Sequence, residues 1–231
     1  MKYIEFKNVS KFYEFENINA LENINFSIKK GEFVIISGPS CSGKTTVLNL
    51  ISASIMPTHG DVIINDIKIN ELKKKNVLKH KRENIGFVRQ DNNLLDDLNV
   101  LENVLISKSL NKDFIDMDLL FKKFGLLEKQ EFPINSLSSS DKIKLMFIKA
   151  LVKKPKILIL DEAFCLFDLK TTKQILKFLK NLSKKEKITI IIASNNNFLF
   201  PIADKIITLK NGTISSIKEN KKKINIGDLK C

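Results

Sequence analysis

Residues 32–54 restrict the possible folds of this chain more than any other stretch. The segment "EFVIIS" (32–37) is a continuous apolar run, which is typical of a strand buried on both faces of a parallel sheet. The stretch "GPSCSGKTT" (38–46) follows it directly, and "KTTVLNLISAS" (44–54) then predicts a helix. A buried strand, a tight glycine-containing loop and a helix in this order predict an α/β fold.

The loop has the spacing G-x-x-x-x-G-K-[ST] of a P-loop, in the strand–loop–helix context that this motif requires. Its glycines let the backbone approach a phosphate, and the helix N-terminus provides N–H dipoles that favour an anion. Lys44 is expected to reach the β- and γ-phosphates of ATP, and Thr45 to ligate Mg²⁺. We interpret Cys41 as a tolerated small residue rather than a redox switch. The predicted ATP-binding residues of the loop are Gly38, Pro39, Ser40, Cys41, Ser42, Gly43, Lys44, Thr45 and Thr46.

A second buried strand, "ILILDE" (157–162), ends in two acids. Parallel α/β sheets place their ligand sites at this end of their strands. Asp161 is expected to hold Mg²⁺ through water, and Glu162 to act as a general base that polarises an attacking water. Acids at strand ends are common, so the pair gains its weight from the accompanying P-loop.

Length and composition favour one cytosolic domain, with or without a subdomain. The chain has 231 residues, of which 43% are hydrophobic, and this is enough for a sizeable core. The longest apolar runs are too short to span a bilayer, and the N-terminus lacks the apolar segment of a secretory signal. The cysteines form no CxxC pair, which argues against a zinc site or a disulfide framework.

The formal net charge of +13 has two interpretations. A basic surface can bind nucleic acid or an anionic membrane leaflet. The lysines are scattered along the whole chain, however, which favours compositional drift. The densest basic run lies within "KENKKKINIGDLKC" (218–231), and we expect residues 219–231 to be a mobile basic tail.

The remaining pattern predicts where helices and strands lie. Alternating residues in "YIEFKNV" and "NINFSIKKG" predict strands of a half-exposed sheet. A polar stretch (71–84) is expected to lead to the strand "NIGFV", and the pattern turns helical from about Asn99 to Leu151. After Pro155 the strand rhythm returns, and "KIITLKNGTISSIK" predicts a hairpin with an Asn-Gly turn.

Together these motifs resemble the ATP-binding-cassette (ABC) ATPases over about residues 1–218. The resemblance implies a single α/β domain with a P-loop NTPase core, an antiparallel β subdomain and a helical insertion at about 91–150. By resemblance, Tyr13 stacks on adenine, Gln90 contacts Mg²⁺ and links to a transmembrane partner, and Asp168 is the D-loop aspartate. The alternatives are a strand-end aromatic for Tyr13, a plain loop residue for Gln90 and a helix N-cap for Asp168.

The segments "RENIGFVRQDNNLL" and "LNVLENV" are most similar in sequence to the small cassettes of the FtsE, LolD and MacB group. Those proteins serve cell division, lipoprotein release and export respectively. The resemblance therefore implies an ATPase with ATP and Mg²⁺ as cofactors.

Residues 137–141 align with the Leu-Ser-Gly-Gly-Gln signature, which in this family closes over the γ-phosphate of ATP held by another subunit. Ser138 remains, Ser139 and Ser140 replace the glycines, and Asp141 replaces the glutamine. As a helix start the change is sound, because Ser138 and an acid three residues on resemble a capping box. As a phosphate clamp it is poor, since a carboxylate ~6 Å from a phosphate charge costs about 3 kcal/mol per charge at an effective dielectric of ~20.

The family's switch histidine aligns with Asn195, and either Ser194 or Asn196 could shift this register by one residue. Asparagine can donate a neutral hydrogen bond but carries no positive charge. Loss of one charge-assisted bond, worth ~1.5–3 kcal/mol in the transition state, would slow hydrolysis roughly 10- to 100-fold.

These residues are compatible with three functions. The first is the ATP-binding subunit of a membrane complex at the inner face of the cell membrane, where a dimer with itself or another ABC cassette moves a separate transmembrane permease. The second is a cassette that binds ATP but hydrolyses it weakly, as a regulatory half or the heterodimer partner of an intact cassette. The third, a nucleic-acid-associated ABC protein, is disfavoured because those proteins usually carry two cassettes or a long coiled coil.

Overall fold

The computed structural model of the chain describes residues 2–89, 94–109 and 113–229, and these residues form two β-sheets flanked by helices. The strands are β1 Lys2–Tyr13, β2 Ile18–Lys29, β3 Phe33–Ser37, β4 His59–Ile64, β5 Ile67–Lys68, β6 Ile85–Val88, β7 Ile157–Asp161, β8 Thr189–Ala193, β9 Lys205–Lys210 and β10 Thr213–Glu219. The helices are α1 Lys44–Ile51, α2 Lys74–Asn84, α3 Val100–Lys108, α4 Met117–Phe124, α5 Ser139–Val152 and α6 Leu169–Glu186.

The central sheet has the strand order β10-β9-β3-β8-β7-β6. β3 pairs in parallel with β8 and β9, and β7 pairs in parallel with β6 and β8, whereas β10 is an antiparallel edge strand. Phe33 and Ile35 belong to the hydrophobic cluster on one face, and Val34 and Ile36 to the cluster on the other. The prediction that this strand is buried on both faces is therefore confirmed.

An antiparallel sheet with the order β2-β1-β4-β5 covers one side of the central sheet. Its apolar residues form a single cluster with α1, and within it the rings of Phe6 and Phe26 stack at a centroid distance of 4.4 Å. Residues of α3 to α6 supply the cluster on the opposite face. The predicted half-exposed strands thus form a second layer, because only one of their faces is apolar.

The helical region contains α3, α4 and α5, and each helix begins at a polar cap. Asn99 forms a full capping box with Glu102, and the side chain of Asp116 accepts a hydrogen bond from the backbone N–H of Asp118. The side chain of Ser138 accepts from the backbone N–H of Asp141 at 3.1 Å. These caps satisfy N–H groups that have no partner within their helix, so they set where each helix starts.

No helix or strand was predicted for the polar stretch that precedes β6. The polar stretch 71–84 contains α2, in which Val77 is the buried residue. Residues of high helix propensity and the basic residues of its last turn stabilise α2, although it has no apolar stripe. Because helices were predicted from the periodicity of apolar residues, α2 was missed.

The basic segment after β10 is not a detached tail. Ile226 and Leu229 are buried in the same cluster as α6, and the backbone N–H of Ile224 donates to Pro201 O at 3.1 Å. Lys223 also forms an ion pair with Asp204. The expectation of mobility rested on the lysines, whereas the isolated apolar residues between them decide how this segment packs.

Asn103 is fully buried on α3 and connects three parts of the helical region. Its Oδ1 accepts hydrogen bonds from Leu95 N and from Lys149 Nζ, both at 3.0 Å. Its Nδ2 donates to Leu95 O and Asn99 O, also at 3.0 Å. The amide thus replaces backbone hydrogen bonds for the irregular segment before α3.

We expect Asn103→Ala to lower the free energy of unfolding by about 1–3 kcal/mol, because the backbone N–H and C=O of Leu95 would lose their hydrogen bonds to the fully buried Asn103 amide. Urea unfolding followed by circular dichroism measures this difference. Asn181→Ala, at an exposed position of α6, is the control and is expected to be neutral within about 0.5 kcal/mol. Equal stability of the two variants would contradict the assigned role of Asn103.

Candidate nucleotide-binding site

The loop between β3 and α1 has an unusual backbone. Gly38, Cys41 and Gly43 have positive φ angles of 143°, 60° and 101°. A Cβ on Gly38 would overlap the carbonyl oxygen of Leu209 and lie 2.7 Å from Ser42 Oγ. The loop therefore needs glycine at this position, and left-handed residues of this kind can turn neighbouring N–H groups toward one concave surface, which suits an anion.

Lys44 begins α1 and is 9% exposed. Its Nζ donates to Gly38 O at 2.7 Å and to Pro39 O at 2.9 Å, so the ammonium lies against its own loop. The buried Oγ of Ser42 has no hydrogen-bond partner among the described residues. A concave set of amides, a cation and an unpartnered hydroxyl fit a phosphate group, because each can donate to its oxygens.

The two acids at the end of β7 lie beside this loop. Asp161 Oδ2 accepts a hydrogen bond from Thr45 Oγ1 at 3.1 Å. Glu162 has a φ of 48°, which is uncommon for a residue with a side chain, and its N–H donates to Ala193 O at 3.1 Å. Backbone strain of this kind persists only where the surrounding structure holds it, and it is concentrated at functional sites.

Burial raises the pKa of the Glu162 carboxyl, and the negative charge of Asp161 adds to this effect. The positive charge of Lys44 and a hydrogen bond with Ser194 act in the opposite direction. The net rise brings the carboxyl closer to the range in which it can accept a proton from water.

Asn195 follows β8 and faces the P-loop. Its Oδ1 accepts a hydrogen bond from Gly38 N at 3.1 Å. Ser194 Oγ instead accepts from Asn196 N, and Asn196 Oδ1 accepts from Phe198 N. Of the three residues between which the sequence left the register open, Asn195 is therefore the one whose side chain contacts the loop.

A cleft of about 500 Å³ opens in front of the P-loop. Tyr13, the last residue of β1, lines it together with residues 41–46. Glu16, Asn19 and the Asn211-Gly212 turn also line the cleft, although no motif in the sequence points to them. The turn itself was predicted, but its position beside the P-loop, where Gly212 N donates to Ser42 O at 3.3 Å, depends on the pairing of β9 with β3.

Comparison with known proteins decides what this arrangement belongs to. The sequence profile of the family described as ABC transporter matches residues 21–165. The chain belongs to the ABC transporter family. The predicted ABC cassette fold is therefore confirmed, and the chain is an ATP-binding protein whose enzymatic class is ATPase.

Two sequence relatives cover nearly the whole chain. The ABC transporter ATP-binding protein MJ0796 of Methanocaldococcus jannaschii is 34% identical over 233 residues, which cover 91% of this chain and 94% of that protein. LolD of Rickettsia bellii, the ATP-binding protein of a lipoprotein-releasing system, is 32% identical over 223 residues, which cover 93% and 98%. The predicted resemblance to the group that includes LolD is thus confirmed.

Solved ABC structures share the fold. A dimeric structure of MJ0796 in a post-hydrolysis state, bound to ADP and Pi, has a TM-score of 0.87 and 33% identity, covering 94% of this chain and 98% of that chain. CbiO1 from Clostridium perfringens, part of the transporter complex CbiONQ, has a TM-score of 0.81 and 28% identity, covering 95% and 89%. In the described part of this chain, no helix has the length and apolar character needed to cross a bilayer.

The segment aligned with the ABC signature lies apart from the P-loop cleft. Of the described residues that line that cleft, none comes from Ser138, Ser139, Ser140 or Asp141. Ser138 caps α5 as predicted, but Asp141 is not the uncompensated carboxylate that the sequence analysis assumed. Its Oδ2 accepts from Lys129 Nζ at 2.7 Å, and its Oδ1 accepts from Lys144 Nζ at 2.9 Å.

Two further residues assigned by resemblance have different outcomes. Gln90 lies outside the described residues. Asp168 is the N-cap of α6, and its Oδ1 accepts a hydrogen bond from Thr171 N at 2.6 Å. The alternative interpretation of Asp168 as a helix cap is therefore confirmed, and its D-loop role stays a prediction.

We expect Gly38→Ala to lower the free energy of unfolding by about 2 kcal/mol or more, because its Cβ overlaps Leu209 and its φ is unfavourable for alanine. ATP binding measured by calorimetry should be lost with it. The control is Gly227→Ala, where a Cβ meets nothing within 4 Å. If Gly38→Ala binds ATP as the wild type does, the assigned loop geometry is wrong.

The ion pairs of Asp141 make the free energy of unfolding depend on pH. Burial alone would raise the pKa of Asp141, but hydrogen bonds from Lys129 and Lys144 outweigh it and lower the pKa. The stabilisation is therefore complete above the unfolded pKa of about 3.9 and is lost as the pH falls through the folded pKa.

Asp141→Asn should accordingly lower the free energy of unfolding by about 1–2 kcal/mol at neutral pH, and by less below about pH 4. Urea unfolding at a series of pH values measures the difference. Asp118→Asn, an exposed acid in the first turn of α4, controls for the interaction with a helix dipole. A difference that is independent of pH would contradict the ion-pair assignment.

Proposed function

We propose that this chain is the nucleotide-binding subunit of a membrane ABC complex, in which ATP closes a dimer of cassettes and the closure moves a separate transmembrane permease. The main observation in support of this proposal is that the P-loop with Lys44, the Thr45–Asp161 pair and Glu162 meet at one edge of the central sheet. The relatives LolD and CbiO1, whose names refer to a lipoprotein-releasing system and a transporter complex, support the partner. The proposed location is the cytoplasmic face of the cell membrane.

ATP binding is assigned to the P-loop and the cleft in front of it. Backbone N–H groups within residues 40–46 would hold the phosphates, and Lys44 would exchange its two loop carbonyls for phosphate oxygens. Tyr13 lines the same cleft and offers a ring on which adenine can stack. The 500 Å³ volume of the cleft suits a ligand of this size.

The Thr45 hydroxyl and the Asp161 carboxylate, 3.1 Å apart, are oxygen donors of the type that Mg²⁺ prefers. When bound, Mg²⁺ would neutralise phosphate charge. Gln90 is proposed as a further ligand by resemblance alone.

For hydrolysis we assign Glu162 as the general base. Its carboxylate would take a proton from water while the water oxygen attacks the γ-phosphorus and ADP leaves. The raised pKa of Glu162 supports this role, since a more basic carboxylate is a better proton acceptor. Asn195 would donate a neutral hydrogen bond where a histidine could donate a charged one, so we expect slow turnover.

A second candidate is a cassette that binds ATP and hydrolyses it only weakly, as the heterodimer partner of an intact cassette. Two observations favour it, the neutral Asn195 beside Gly38 and the side chains of Ser139 and Ser140 at positions aligned with signature glycines. The intact Lys44, Thr45, Asp161 and Glu162 favour the first candidate. ATPase rates of the chain alone and with its permease separate the two.

We expect Glu162→Gln to lower the steady-state ATPase rate by about 100-fold or more, because the proton acceptor is lost, while ATP affinity is retained. Lys44→Ala should lose ATP affinity as well. The control Glu71→Gln changes an exposed acid that does not line the described cleft. A Glu162→Gln rate equal to that of the wild type would remove Glu162 from the mechanism.

A further inference from the structure

Three charged side chains meet at the start of α5. Asp141 Oδ2 lies 2.7 Å from Lys129 Nζ, and Asp141 Oδ1 lies 2.9 Å from Lys144 Nζ. Lys144 is one helical turn along α5, whereas Lys129 ends the short 3-10 helix Leu127–Lys129 that follows α4. The contact between Lys129 and Asp141 is therefore tertiary, and helix α5 alone does not generate it.

The acid of this cluster is buried, whereas two of the serines that precede it in the signature segment (137–141) are exposed. Asp141 is 7% exposed, whereas Ser138 and Ser139 are exposed in front of it. Each carboxylate oxygen has its own ammonium donor, and the backbone N–H of Asp141 is bound by Ser138 Oγ. One acid and two lysines leave a net charge of +1, so the segment is electrostatically attractive to an anion despite its acid.

We propose that Lys129 is a positioning residue of the signature segment, which together with Lys144 compensates the charge of Asp141 so that the segment can approach the triphosphate held by a second copy of this chain. This inference rests on the dimer closure of the proposed function. It assigns Lys129 a role that its sequence position, outside the signature alignment, does not indicate. The alternative is that the Lys129–Asp141 pair only ties α5 to the preceding segment.

Counting charges distinguishes the two roles. Lys129→Met reduces the net charge of the cluster to zero, Asp141→Asn raises it to +2, and the double variant restores +1. If compensation matters, Asp141→Asn should strengthen closure and the double variant should resemble the parent. If only the tertiary link matters, both single variants should weaken closure, since each breaks the same bond.

The experiment measures ATP-dependent dimer formation by light scattering in the Glu162→Gln protein, in which ATP persists. Lys129→Met should raise the ATP concentration for half-maximal dimer formation roughly 10-fold, because one charge at a partly exposed site is partly screened by solvent. Lys129→Arg keeps the charge and should stay within about twofold of the parent. Higher salt should reduce the effect of Lys129→Met.

Lys142→Met is the matched control, because Lys142 is on the same turn of α5 and is not among the described partners of Asp141. An equal effect of this variant would overturn the proposal in favour of a general charge effect. Weaker closure of Asp141→Asn would overturn it in favour of a structural link, and urea unfolding identifies any variant that fails to fold. If the parent forms no dimer at any ATP concentration, the proposed closure of two copies fails and the inference fails with it; unchanged variants of a closing parent remove the inference alone.

Discussion

The close contact between Gly38 and the carbonyl oxygen of Leu209 is the constraint on which the site depends. β3 lies between β8 and β9 and is buried on both faces, so the loop that leaves it has little room. Without a Cβ, the loop can turn directly at the end of the strand and begin α1 at Lys44. The concave surface of backbone amides is a consequence of this turn.

The same edge of the sheet assembles the other groups. β8 pairs in parallel with β3, and β7 pairs in parallel with β8, so Asp161, Glu162 and Asn195 emerge at the same edge of the sheet as the P-loop. Lys44 and Asn195 are held by loop backbone atoms, and Thr45 is held by Asp161. Because these side chains are already oriented, little conformational entropy remains to be lost when a nucleotide binds.

The cluster around Asp141 shows how a departure from a family motif depends on its surroundings. From the sequence alone, Asp141 in place of the signature glutamine is expected to repel a phosphate group. In the folded chain the acid has two lysine partners, one of them from a different segment. Burial disfavours the charged acid, but the two ion pairs outweigh it and keep it ionised, which is why its pKa falls.

Local sequence patterns were sufficient to predict much of the fold and of the nucleotide-binding site. The apolar run of β3, the P-loop spacing and the acids after β7 predicted the core and its ligand edge, because they depend on backbone preferences and side-chain alternation of neighbouring residues. The caps at Ser138 and Asp168 were also readable, since an N-cap contacts a residue two or three positions away. α2 was missed because its sequence has no apolar stripe, and the packed C-terminal segment because its lysines masked two buried apolar residues.

By itself, then, the sequence determined the phosphate loop, the two acids after β7 and the capped starts of α5 and α6, all of which arise from neighbours along the chain. Only the tertiary structure decided which distant groups meet. Asn195 contacts Gly38 across 157 residues, Tyr13 lines the cleft of the P-loop, and Lys129 pairs with Asp141 from another segment. The physical reason is that such contacts follow from strand order and layer packing, which bring together residues whose local patterns contain no information about one another.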